Sequence, residues 1–128
     1  LEIAHMELFA DVEEACLDRD GLTAIDQGLA AVLSWVAHDS VIARACLVER
    51  YALEQADKLR TDALDRFAEL LRTCAPSDPR RPRWVEEMVV GGVETLLKGR
   101  LIAGQGDSAT AARPEMRAFV LAPYEYSW

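Results

Sequence analysis

Residues 84–103, WVEEMVVGGVETLLKGRLIA, decide the fold. Wound as a helix at about 100° per residue, the stretch puts Val85, Val89, Gly92, Leu96 and Ala103 on one side and Val90, Leu97 and Leu101 nearly opposite. A helix at the edge of a monomer needs one apolar face, so the second face calls for another layer of the same chain or a second copy. Arg83, Glu87, Glu94 and Lys98 rim that second side, with Glu94 four residues before Lys98 as a helix-stabilising pair. Gly91 and Gly92 each cost about 1 kcal/mol relative to Ala inside a helix, which implies that something packs too close for a side chain. A plain central core helix would account for the first face and leave the second unexplained.

On the N-terminal side, the loop PSDPRRPR separates this helix from residues 41–75, which contain neither Gly nor Pro. Val41, Ala45, Val48 and Ala52 share one direction, and Leu64, Phe67, Ala68 and Leu71 another roughly 120° away, so the spacing predicts two helices. Asp39 or Ser40 caps the first of these, and Asp57 or Thr61 the second. Ahead of them, Ile25, Leu29, Val32, Leu33 and Val36 form the stripe of a helix ending near His38, with Thr23 and Asp26 placed as a capping box. Residues 1–19 read as a further helix with Leu1, His5, Leu8, Val12 and Cys16 on one side, ended by a left-handed Gly21. On the C-terminal side, Gly104, Gly106, Asp107 and Ser108 read as a flexible link, Pro114 opens a last helix and Pro123 stops it near Ala122. No alternation persists long enough for a strand. The expected fold is all-α, a single domain over residues 1–128 built as a bundle of about six helices, with the last two forming a dimer interface.

The chain has 128 residues, enough to bury about two-thirds of the surface of its unfolded form without disulfides. Its three cysteines, Cys16, Cys46 and Cys74, show no C-x-x-C spacing and fall in helical patterns, which suits free thiols in a reducing, cytoplasmic setting. No apolar run reaches the roughly 18 residues of a membrane span. The net charge of −8 opposes unassisted binding to a polyanion. Arg80, Arg81 and Arg83 form the one basic cluster, and in a proline-broken segment without aromatics they read as a solvated loop.

Read in order, DALDRFAELLRT, a loop, VEEMVVGGVETLLKGRLIAGQ and PEMRAFVLAPYEY resemble the C-terminal ligand-binding domain of TetR-type transcriptional regulators. The resemblance covers nearly the whole chain, and its most specific piece is the ending Ala122-Pro123-Tyr124. It implies effector sensing by a cytoplasmic repressor and a symmetric homodimer through the last two helices. On that reading Val90, Leu97, Leu101, Phe119, Val120 and Tyr124 form the interface. The family's helix-turn-helix has no counterpart here, so DNA contact is expected only through a missing N-terminal domain. A chain that begins at Leu1 inside a helical pattern fits a fragment of a longer protein. The alternative function is a stand-alone helical module for protein–protein interaction.

An enzyme needs convergent titratable groups, and the sequence offers few. Its two histidines, His5 and His38, sit on an apolar face and near a helix end, and neither has another ligand-type residue at i, i+4, so neither a metal nor a cofactor is expected. Glu86, Glu87 and the other carboxylates fall on stripes with basic partners and read as solvated faces. Ser40 lies beside His38 and Asp39 but reads as a helix cap rather than a nucleophile. The ligand-site candidate is a second stripe of the long helix, Trp84, Met88, Gly91 and Thr95, facing Phe9, Trp35, Cys46, Tyr51 and Phe67 across a cavity for a small, largely apolar effector. An ordinary aromatic core accounts for the same residues.

Overall fold

The local signals place most of the helix boundaries. In the computed structural model, residues 2–17, 19, 21–48, 56–125 and 128 are described, and among them six α-helices form and no strand. These are α1 (Glu2–Leu17), α2 (Gly21–His38), α3 (Ser40–Leu47), α4 (Ala56–Cys74), α5 (Trp84–Ile102) and α6 (Arg113–Leu121), an all-α bundle. Gly21 has φ of +58°, and Asp39 caps α3 by accepting the backbone N–H of Ile42 at 3.2 Å. α3 then leaves α2 at 107°. α3 and α4 are separate helices, as the phase shift requires, while Glu49, Tyr51, Ala52 and Glu54 lie outside the described residues. Pro114 stands in the first turn of α6, and a short 3₁₀ turn, Ala122–Tyr124, takes over where Pro123 stops it.

Two local expectations are corrected. α2 begins at Gly21 instead of at a Thr23 cap, and the Asp26 carboxylate accepts from Arg113 at 3.1 Å and pairs with Arg117 at 3.4 Å. The segment after α5, Gly106–Ala112, is two 3₁₀ turns meeting at a kink at Ser108 rather than an open link. Its small residues Gly106, Ala109 and Ala112 are buried, which lets the backbone settle against the core. Ser40 donates to Asp107 at 2.6 Å and so holds this segment; the cap of α3 is Asp39.

The apolar side chains form two clusters that share α2. The larger gathers Ile25, Leu29, Leu33 and Val36 of α2 with α3, α5, the 3₁₀ segment and α6. The smaller joins Leu8, Val12 and Cys16 of α1 to Ala24 and Leu70. No single helix among the described residues is long and apolar enough to cross a membrane.

α5 resolves its own puzzle differently from the expectation. The two apolar stripes are only about 130° apart at helical spacing, with Val93 and Glu86 between them, so Val85, Val89, Leu97 and Leu101 form one continuous buried face, while Leu96 and Ala103 of the first stripe stay exposed. Leu97 is 2 % exposed, and Leu101, Val120 and Tyr124 are likewise buried by this same chain. These four residues, assigned above to a second copy, are core residues. Phe119 is half-buried and its ring lies over Gly92, where a Cβ would collide with it. The close approach inferred from the glycine pair therefore exists at Gly92, within the chain, whereas a Cβ at Gly91 meets nothing within 4 Å. The outward half of α5 carries Trp84, Met88, Thr95, Leu96 and Ile102.

Candidate functional site

Two clusters that share one helix leave a seam where they meet, and the seam contains a cavity of about 150 Å³. α1 contributes Leu8, Val12 and Cys16; α2 contributes Leu29, Val32 and Trp35; α4 contributes Leu64, Phe67 and Leu71; α5 contributes Val89, Val93 and Leu97. Among the described residues the wall is aliphatic, aromatic or thiol apart from His5, Arg60 and Glu94. An apolar cavity of this size holds a molecule of roughly benzene's bulk without needing water to fill it. On the α1–α4 side a surface groove shares His5, Ala63 and Phe67 with the cavity and adds Met6, Phe9, Asp62 and Arg66. The Arg66 guanidinium stands 4.2 Å from the Phe9 ring centroid, and Phe9 meets Phe67 edge-on at 5.3 Å.

The polar end of the cavity is built on Glu94, which is 6 % exposed. Arg60 donates to its Oε1 from Nε at 2.9 Å and from Nη2 at 2.7 Å, and Lys98 approaches the same oxygen at 3.5 Å. Glu94 and Lys98 are the i, i+4 pair expected on α5, but the pair is turned inward and α4 supplies its third member. Arg60 and Lys98 bring charged donors to this carboxylate, and charged groups at one end suit a hydrogen-bonding or anionic group on an otherwise apolar molecule.

The expected ligand residues divide. Trp35 and Phe67 line the cavity, and Phe9 lines the adjoining groove. Cys46 is fully buried in the larger cluster and does not line the cavity, and Tyr51 lies outside the described residues. Trp84 and Met88 are 54 % and 49 % exposed, and Thr95 is exposed with its hydroxyl returned to the Gly91 carbonyl at 2.9 Å. That stripe is therefore outside the cavity, because α5 turns its other half inward. Val90, Leu97 and Val120, expected at a dimer interface, line the cavity instead. Arg60, Glu94 and His5 were missed as site residues. The one signal for them was Arg60 standing one turn before Leu64 on the apolar stripe of α4.

A second buried carboxylate lies nearer the start of α5. Glu86 is 1 % exposed; Arg72 donates to its Oε1, while Arg81 and Tyr124 donate to Oε2 at 3.1 and 2.7 Å. Arg81 also donates to the Pro76 carbonyl at 2.8 Å, and its guanidinium lies 4.8 Å from the Tyr124 ring centroid. The solvated-loop reading of Arg81 and the solvated-face reading of Glu86 are thus corrected, whereas Arg80 and Arg83 are exposed and pair with Asp78 and Glu69. Burial, then the hydrogen bond to Glu86 and its negative charge, push the Tyr124 hydroxyl far above the ordinary range.

No three His, Cys, Asp or Glu side chains among the described residues converge as a metal site. Comparison with protein families, curated proteins and solved structures gives no match to this chain. The functional reading therefore rests on the cavity, on the outward half of α5 and on the order of the sequence motifs.

Proposed function

We propose that the chain is the effector-sensing and dimerisation domain of a TetR-type transcriptional repressor, and that its effector is a small, largely apolar molecule carrying one polar or anionic group. The observation that supports this most is the cavity itself: about 150 Å³, with a mostly apolar lining among the described residues that ends at Arg60 and Glu94. Filling it with apolar surface is favourable, and the ionic end orients the occupant. DNA contact belongs to a helix-turn-helix domain on the N-terminal side, and the effector acts by binding one spacing of those domains better than another.

The dimer uses the outward half of α5 rather than the stripe named from the sequence. Met88, Leu96, Trp84 and Ile102 are exposed there, Gly91 and Gly99 leave room for a partner helix, and the exposed Ala118 of α6 and Ala122 just after it complete an isologous four-helix contact. Sedimentation at micromolar concentration reads a dimer on this account, and a monomer overturns it.

A panel of benzene-sized compounds, each with and without a carboxylate, tests the effector site by thermal unfolding. A binder stabilises the fold by about 2.7 kcal/mol at one hundred times its dissociation constant. Val93→Phe fills the space and removes that response. Stabilisation that survives the substitution places the binding elsewhere.

A further inference from the structure

Cys16 near the end of α1 and Cys74 at the end of α4 both line the cavity. Cys16 is buried in the smaller cluster and Cys74 packs against that same cluster, each seven residues beyond the Phe9–Phe67 contact that joins the same two helices. Gly28 of α2 makes the arrangement fit, since a Cβ there would stand 2.8 Å from the Cys16 sulfur. The Cys16 thiol points its proton at the Ala24 carbonyl, 3.5 Å away, and burial followed by the neighbouring Cys74 pushes this thiol up to about 12. Cys16 is therefore protonated at neutral pH and slow to react on its own. Cys74 is only half-buried and is the more exposed residue of the two. The third thiol, Cys46, is fully buried in the other cluster.

We propose that Cys16 and Cys74 are an oxidisable pair whose disulfide fastens the end of α1 to the end of α4 along one wall of the cavity. A peroxide oxidises the exposed member first: the Cys74 sulfur takes one oxygen to become a sulfenic acid, and the other leaves as water. The Cys16 sulfur then displaces the sulfenic hydroxyl, which departs as a second water with the Cys16 proton, and the S–S bond forms. The fastened helices are the two that border the groove beside the cavity. Control of effector access by this fastening rests on the proposed function, whereas the bond itself does not.

The test uses the full chain treated with a several-fold molar excess of hydrogen peroxide, then alkylated under denaturing conditions and mapped by mass spectrometry. The expected result is a chain of unchanged monomer mass on a non-reducing gel, with the Cys16 and Cys74 peptides joined and Cys46 alone alkylated. Cys46→Ser gives the same joined peptides, and in Cys16→Ala the Cys74 sulfur runs on to the sulfinic acid. Amide exchange over α1 and α4 slows at least tenfold in the oxidised chain and returns on reduction. Sulfinic acid at Cys74 in the unaltered chain at the rate seen in Cys16→Ala overturns the proposal, as does a bond to Cys46 or joined peptides with unchanged exchange.

Discussion

Glu86 and Glu94 lie on the inward half of the same helix, eight residues apart, and the two carboxylates are held in different ways. Around Glu86 two of the three partners are closed in: Arg81 is nearly as buried as the carboxylate and Tyr124 covers the other side, while Arg72, 29 % exposed, fastens Oε1. Around Glu94 neither counter-ion is closed in, with Arg60 35 % and Lys98 20 % exposed, and the neighbouring surface is the largely apolar cavity. A charge that is fully enclosed by its counter-ions joins elements together, here α4, the loop before α5 and the chain after α6. A charge whose partners keep contact with water can be rearranged at modest cost, and that is the kind of group a ligand can address.

The largest effect is expected at the closed site. Glu86→Gln leaves the buried Arg81 guanidinium without its counter-charge and costs about 3–5 kcal/mol of unfolding free energy, read as a lower urea midpoint. A loss below about 1 kcal/mol would erase the distinction between the two carboxylates. Tyr124→Phe removes one donor to Glu86 and costs about 1–3 kcal/mol. The same residue carries a pH signature. Its folded pKa is raised above the unfolded value of about 10, so the hydroxyl's contribution is fully present below that pH and is lost as pH rises above it. The wild-type urea midpoint should fall beyond about pH 10 more steeply than that of Tyr124→Phe.

At the open site Glu94→Gln should cost about 1 kcal/mol, because Arg60 and Lys98 turn to water. Its larger consequence is on binding: with the carboxylate neutralised, an anionic benzene-sized probe should bind tighter and a neutral one about equally, by calorimetry. An equal gain for both probes would mean that Glu94 acts only through packing. The smallest change in stability is expected on the outward half of α5, where Met88→Glu alters an exposed position and should change the unfolding free energy by less than about 0.5 kcal/mol while moving the chain toward monomer. A large loss of stability there would show that the outward half is not a surface.

The helices themselves were legible because their determinants are local. Apolar spacing, the Asp39 cap, the left-handed Gly21, the phase change between α3 and α4 and the stop at Pro123 each act within a few residues. Three residues now seen at the cavity or the adjoining groove, Phe9, Trp35 and Phe67, were legible as large side chains on apolar stripes. The assignment of α5's halves was not. A helical wheel gives angles but not the direction of the core, and α5 carries apolar residues nearly all round.

By itself the sequence determined an all-α chain, its helix boundaries to within a few residues and an excess of apolar surface on α5. Tertiary structure alone decided which half of α5 turns inward, and with it which residues line the cavity and which are left outside. The physical reason is the long reach of the counter-ions: Glu94 can face the interior because Arg60, 34 residues earlier, meets it there, and Glu86 because Tyr124, 38 residues later, does. Burying a carboxylate is unfavourable until such partners arrive, and their arrival depends on how α4, α5 and α6 are stacked, which no local pattern encodes.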